Sequence, residues 1–112
     1  MPADPHLVFG ISGTISSVGD NDIIIPPAGQ SVRLFYICLN APSANAASVT
    51  ARARFGANPP IYTLNLVPGA IWARNIGAGR FYQQSQAVDE KLTVSLDGPY
   101  SVCWSVEYLT LP

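Results

Sequence analysis

The feature that most restricts this chain is the rhythm of its apolar residues, which alternate with polar ones in short runs closed by glycine, proline, asparagine or aspartate. Residues 49–55 show the rhythm most cleanly, with Val49, Ala51, Ala53 and Phe55 on one parity and Thr50, Arg52 and Arg54 on the other. Side chains of an extended backbone point alternately to opposite faces, so this period sets one face against a core and the other toward water. At 3.6 residues per turn the same segment would scatter its arginines around the axis. No longer window carries a convincing helical period, and an all-β chain is expected.

The other runs follow the same rule. Residues 7–17 place Leu7, Phe9, Ile11 and Ile15 on one parity, with Gly13 among them as a sign of a bulge or a close backbone approach. The turn Gly19-Asp20-Asn21-Asp22 leads to a short strand at Ile23, Ile24 and Ile25, which Pro26-Pro27 ends. Residues 32–39 are almost unbroken apolar sequence and predict a central strand covered on both faces. A loop is expected over 40–47 and a strand at Tyr62, Leu64 and Leu66. Residues 70–76 suit a short strand or an ordered loop across an open end. Gly77-Ala78-Gly79 suits a turn. Leu92, Val94 and Leu96 precede Asp97-Gly98-Pro99 and then Val102, Trp104, Val106 and Tyr108, the strongest hairpin signal in the chain. The count is about seven or eight strands, the range of a single antiparallel β-sandwich. At 112 residues there is room for one core, so residues 7–112 form the domain and residues 1–6 an extended arm.

Charge is scarce. Charged residues are 12% of the chain against 48% hydrophobic, whereas a soluble domain averages about 25% charged. Either neutral polar side chains keep the surface wetted, or other chains cover much of it in an assembly, where charge is depleted. A net charge of −1, with Arg33, Arg52, Arg54, Arg74, Arg80 and Lys91 dispersed, excludes a phosphate-binding face for nucleic acid. No run approaches the ~20 apolar residues of a membrane-spanning helix. Residues 1–6 lack the basic start and apolar centre of a signal peptide, which predicts synthesis in a cytoplasm. Cys38 and Cys103 each fall inside an apolar strand and are expected as free, buried thiols. Their separation resembles an immunoglobulin-type cystine, but the tryptophan and corner tyrosine that go with one are missing.

Chemistry is as sparse as charge. His6 is the sole histidine and follows Pro5 in the proline-containing arm, so no general base and no zinc spacing can be drawn. Asp20 with Asp22, and Asp89 with Glu90, are adjacent acids in turn-like sequence, where solvated side chains outnumber catalytic pairs. Residues 20–22 could hold calcium loosely but lack the spacing of an EF-hand loop. Gly77-Ala78-Gly79-Arg80 matches neither a dinucleotide fingerprint nor a phosphate loop. No catalytic group, cofactor or metal is expected. The candidate partner-binding residues are Trp72, Arg74 and Asn75, because tryptophan and arginine are enriched at interface hot spots. Pro2, Asp4, Pro5 and His6 join them as an arm able to extend a neighbour's sheet.

Three segments carry a family resemblance: residues 26–34 (PPAGQSVRL), residues 66–76 (LVPGAIWARNI) and the closing stretch 92–108. Together they resemble small virion proteins of tailed bacteriophages, of the head decoration or cement type. The resemblance implies a jelly-roll-like β-sandwich, made in the host cytoplasm, that binds the outer surface of the phage head. There it would contact the major capsid protein, commonly as a trimer, and stabilise the lattice without catalysis. Two other roles suit such a domain: a tail, fibre or baseplate module that binds receptor, and a lectin-like carbohydrate-binding domain. Exposed aromatics between Trp72 and Tyr82 would favour the first, and an acid pair beside a stacked tryptophan the second.

Overall fold

The computed structural model describes residues 8–76 and 82–112. Within them are nine strands and no helix: β1 (Phe9–Ile15), β2 (Gly19–Ile24), β3 (Ser31–Asn40), β4 (Val49–Phe55), β5 (Tyr62–Leu66), β6 (Ile71–Asn75), β7 (Gln83–Gln84), β8 (Leu92–Leu96) and β9 (Val102–Leu111). One sheet has the order β1-β9-β3-β6, with β7 also on β3, and the other the order β2-β8-β4-β5. All pairs are antiparallel.

Leaving aside the two-residue β7, the pairing is nested. β4 pairs with β5, β3 with β6, β2 with β8 and β1 with β9, as in one long hairpin. Rolling that hairpin up adds the contacts β3 to β9 and β4 to β8 and gives two four-stranded sheets, the jelly-roll arrangement. The core lies between them. Val32, Leu34, Ile37, Leu39, Val102 and Val106 from one sheet meet Ile24, Val49, Ala51, Ala53, Phe55, Leu92, Val94 and Leu96 from the other. Ala51 and Ala53 are fully buried, so their small side chains leave room for the larger ones opposite.

The long apolar run of β3 has a local cause. Its pairing with β9 slips between Leu34 and Tyr36, so Phe35 is an extra, bulged residue. Val32 and Leu34 face the core before the bulge, Ile37 and Leu39 after it, and unbroken apolar sequence results. The strand is central, with pairing on both edges, but its second face is not fully covered, because Tyr36 and Cys38 there are only half-buried. Phe35 and Leu109 are buried apart from the main core, with Tyr82 edge-on to Phe35 and Arg33 stacked over the Tyr82 ring.

Two expectations are corrected. The stretch 19–22 is not a free turn: Gly19, with φ 91°, opens β2 opposite Leu96, and Asp20, Asn21 and Asp22 continue the strand. The Asn21 amide donates to the carbonyls of Ser17, Gly19 and Val94, which satisfies backbone acceptors that a turn would leave to water. The closing hairpin is absent, since β8 and β9 lie in different sheets. Asp97 explains this, because its N–H donates to the Thr50 carbonyl while its carboxylate accepts from the Thr50 N–H, prolonging β8 along β4. The chain then crosses the open end, and on the far side the Asn45 side chain takes both the N–H and the carbonyl of Ser101.

Candidate functional site

The nested pairing gives the two outer faces opposite characters. On the sheet β2-β8-β4-β5, Asp20 stands opposite Ser95, Asp22 opposite Thr93, Arg54 opposite Thr93, and Arg52 between Ser95 and Thr63. Arg54 reaches Asp20 at 2.8 Å and Lys91 reaches Asp22 at 3.2 Å. Both pairs are solvent-exposed and worth about 0–1 kcal/mol each. The guanidinium lies across Thr93, whose hydroxyl is buried without a hydrogen bond, as is Arg54 Nε.

The outer face of the sheet β1-β9-β3-β6 has three central rows that cross all four strands, and beyond them Arg33 lies between Leu109 and Gln84. The register places Gly10, Glu107, Tyr36 and Asn75 in the first, Ser12, Ser105, Cys38 and Ala73 in the second, and Thr14, Cys103, Asn40 and Ile71 in the third. Glu107 is the only charged residue in these rows. A shallow groove of about 230 Å³ runs between Tyr36, Glu107 and the small residues Gly10, Ser12 and Ser105. The side-chain hydrogen bond between Tyr36 and Cys38 raises the phenol above its ordinary 10.0, helped by charge on Cys38, partial desolvation and the Glu107 carboxylate.

This face also holds both cysteines. They are free and half-buried rather than buried, and Thr14 Oγ1 donates to Cys103 Sγ at 3.7 Å. Each lies on the polar parity of its strand, which turns it away from the core, and both belong to one sheet, so an inter-sheet cystine is excluded.

The expected partner-binding residues separate. Pro2, Asp4, Pro5 and His6 lie outside the described residues, as do the Gly77-to-Arg80 turn and Phe81. Trp72 is on β6 rather than on an end loop, points toward the core and packs against Tyr62, the rings tilted by 57° with centroids 5.0 Å apart. Because β5 and β6 are edges of their sheets, this pair closes the side of the sandwich. Arg74 shares the Trp72 parity and is exposed at the edge, while Asn75 sits on the outer face opposite Tyr36. The Trp72 side is the far side from Asp20 and Asp22 on β2, so no acid of that pair stands beside the tryptophan.

The second acid pair is structural. The Asp89 carboxylate accepts from the Gly29 N–H at 2.6 Å, and the Glu90 carboxylate accepts from Asn58 Nδ2 and the Ala87 N–H. Ser85 Oγ accepts from the Val32 N–H, which fastens the same segment to β3. Among the described residues no three of His, Cys, Asp and Glu come together as metal ligands would. Sequence reading missed Tyr36, Cys38, Ser105 and Glu107 as one surface. Alternation marks each as outward-facing on its own strand, but only the register aligns them. No protein-family model matches the chain, and no curated protein matches its sequence.

Proposed function

We propose that the chain is a non-enzymatic structural protein of a tailed-phage virion, a cement protein that attaches in many copies to the outer surface of the head. It would contact the major capsid protein and reinforce the lattice. The observation that carries this reading is the segregation of charge: one outer face bears Asp20, Asp22, Arg52 and Arg54, while the three central rows of the opposite face present Gly, Ser, Thr, Cys, Asn and Ala with Tyr36, Ile71 and one carboxylate, Arg33 lying beyond them against Tyr82. Interface centres are depleted of charge because a desolvated ion must be repaid by a partner, and small neutral side chains avoid that penalty. The acids have structural employment, and the jelly roll is a common architecture for capsid domains. The resemblance of residues 26–34, 66–76 and 92–108 to phage cement proteins supports the same role. Many weak attachments then act together through avidity.

Co-sedimentation with heads that lack the protein tests the reading. Ser105→Arg, at the centre of the neutral face, should abolish attachment, and Ser95→Arg, at the centre of the charged face, should leave it intact. Equal binding of both variants, or no binding by the unaltered protein, would refute it.

A further inference from the structure

A jelly roll leaves four sheet edges, and an open edge is a template for another strand. Three edges here carry features that discourage pairing. β2 presents Asp20 and Asp22 and slips register between Asp22 and Ile24. β5 is five residues long and sits between Pro59-Pro60 and Pro68. The edge beyond β3 is divided between β6, which carries Arg74, and the two-residue β7. β1 has none of these protections: seven residues in unbroken register with β9, free of charge and of proline. Its core-facing parity is also poorly covered, leaving Phe9 47% and Ile11 37% exposed.

We propose that β1 is a self-association edge, on which a second copy pairs antiparallel about a two-fold axis at Ser12 and continues the sheet across both molecules. In that register Phe9 faces Ile15 of the second copy and Ile11 faces its Gly13. Core parity therefore meets core parity, and the exposed Phe9 and Ile11 are covered. A neutral strand has no charge to offer a charged partner, but it matches itself without repulsion. Seven residues give a shared edge of about 24 Å with about six main-chain hydrogen bonds. That is small beside a standard interface, so the dimer is of micromolar strength and concentration-dependent. An isologous contact closes with two copies, in place of the trimer that the family resemblance implies. The pairing is independent of attachment to a head, because it is read on the isolated chain.

Sedimentation equilibrium of the full chain between ~1 µM and ~1 mM decides the matter. The mass should climb from 11.9 kDa to twice that value. Ser12→Lys and Ser12→Glu, at an exposed position on the axis, should each weaken association about fivefold or more through like charges face to face. An equimolar mixture of the two should recover it, which neither variant could do if misfolded. Thr63→Lys, on the β5 edge, should change nothing. A monomer at every concentration, a trimeric mass, or no recovery in the mixture would overturn the proposal.

Discussion

Gly13 is where packing can be tested most sharply. It lies opposite Trp104 in the β1 to β9 register, and a Cβ built on it would stand 2.8 Å from Trp104 Cζ2 and 3.1 Å from Cε2. Carbon contacts relax near 3.5–4.0 Å, so Gly13→Ala requires the indole to retreat by roughly 0.7–1.2 Å. The ring is packed against the core, and its Nε1 is buried without a hydrogen bond, so packing alone holds it. Overpacking of this kind costs about 1–3 kcal/mol. Against it stands the loss of unfolded-state freedom on replacing glycine by alanine, which stabilises by about 0.4–1 kcal/mol. The net expectation is a loss of about 1–2 kcal/mol, or several degrees in Tm for a domain of this size. Gly10 is the internal control: on the same strand, a Cβ there meets nothing within 4 Å, so Gly10→Ala should be neutral or slightly stabilising. Urea unfolding at low micromolar concentration, followed by tryptophan fluorescence and far-UV circular dichroism, measures both. In a Trp104→Leu background the Gly13→Ala penalty should shrink by about 1 kcal/mol, the coupling expected of residues in contact. Equal stability of Gly13→Ala and Gly10→Ala, or an undiminished penalty without the indole, would refute the reasoning.

Phe55→Ala removes the largest fully buried side chain and should cost about 3–5 kcal/mol, measured by the same unfolding curves. Asn45→Ala strands both backbone groups of Ser101 and should cost about 1–3 kcal/mol, with faster amide exchange at Ser101 as its local signature. The raised Tyr36 pKa means that the folded chain favours the neutral phenol, so its contribution is complete below the ordinary 10.0 and fades as pH rises through the folded value. Cys38→Ala should bring the Tyr36 ionisation down toward 10.0, read at 295 nm as the difference from a Tyr36→Phe variant.

Some of this protein is written locally. Strand parity is a property of each segment alone, so the core faces of 49–55, 62–66 and 92–96 could be named before any contact was known, whereas Gly13 was open between a bulge and a close backbone approach, and the structure shows a side chain, Trp104, against it in unbroken register. The bulge at Phe35 was not legible, because an unbroken apolar run fits a doubly covered strand as well as one whose parity switches midway. Trp72 likewise presented an ambiguous face until Tyr62 was found beneath it.

The deeper division lies between parity and partnership. Alternation determined that the chain is all-β and which side chains turn inward, because extended backbone has a period of two whatever lies beside it. Which strands pair was decided by the tertiary structure, since pairing depends on distant residues and the chain must choose among closures of similar entropic cost. Asp97-Gly98-Pro99 marks a change of direction in the sequence, yet the hydrogen bonds of Asp97 to Thr50 on β4, and of Ser101 to Asn45 in the loop before β4, make it an arch between sheets. The same non-local choice aligned Ser12, Ser105, Cys38 and Ala73 into one neutral row and left β1 at an edge, and on those two results the functional reading rests.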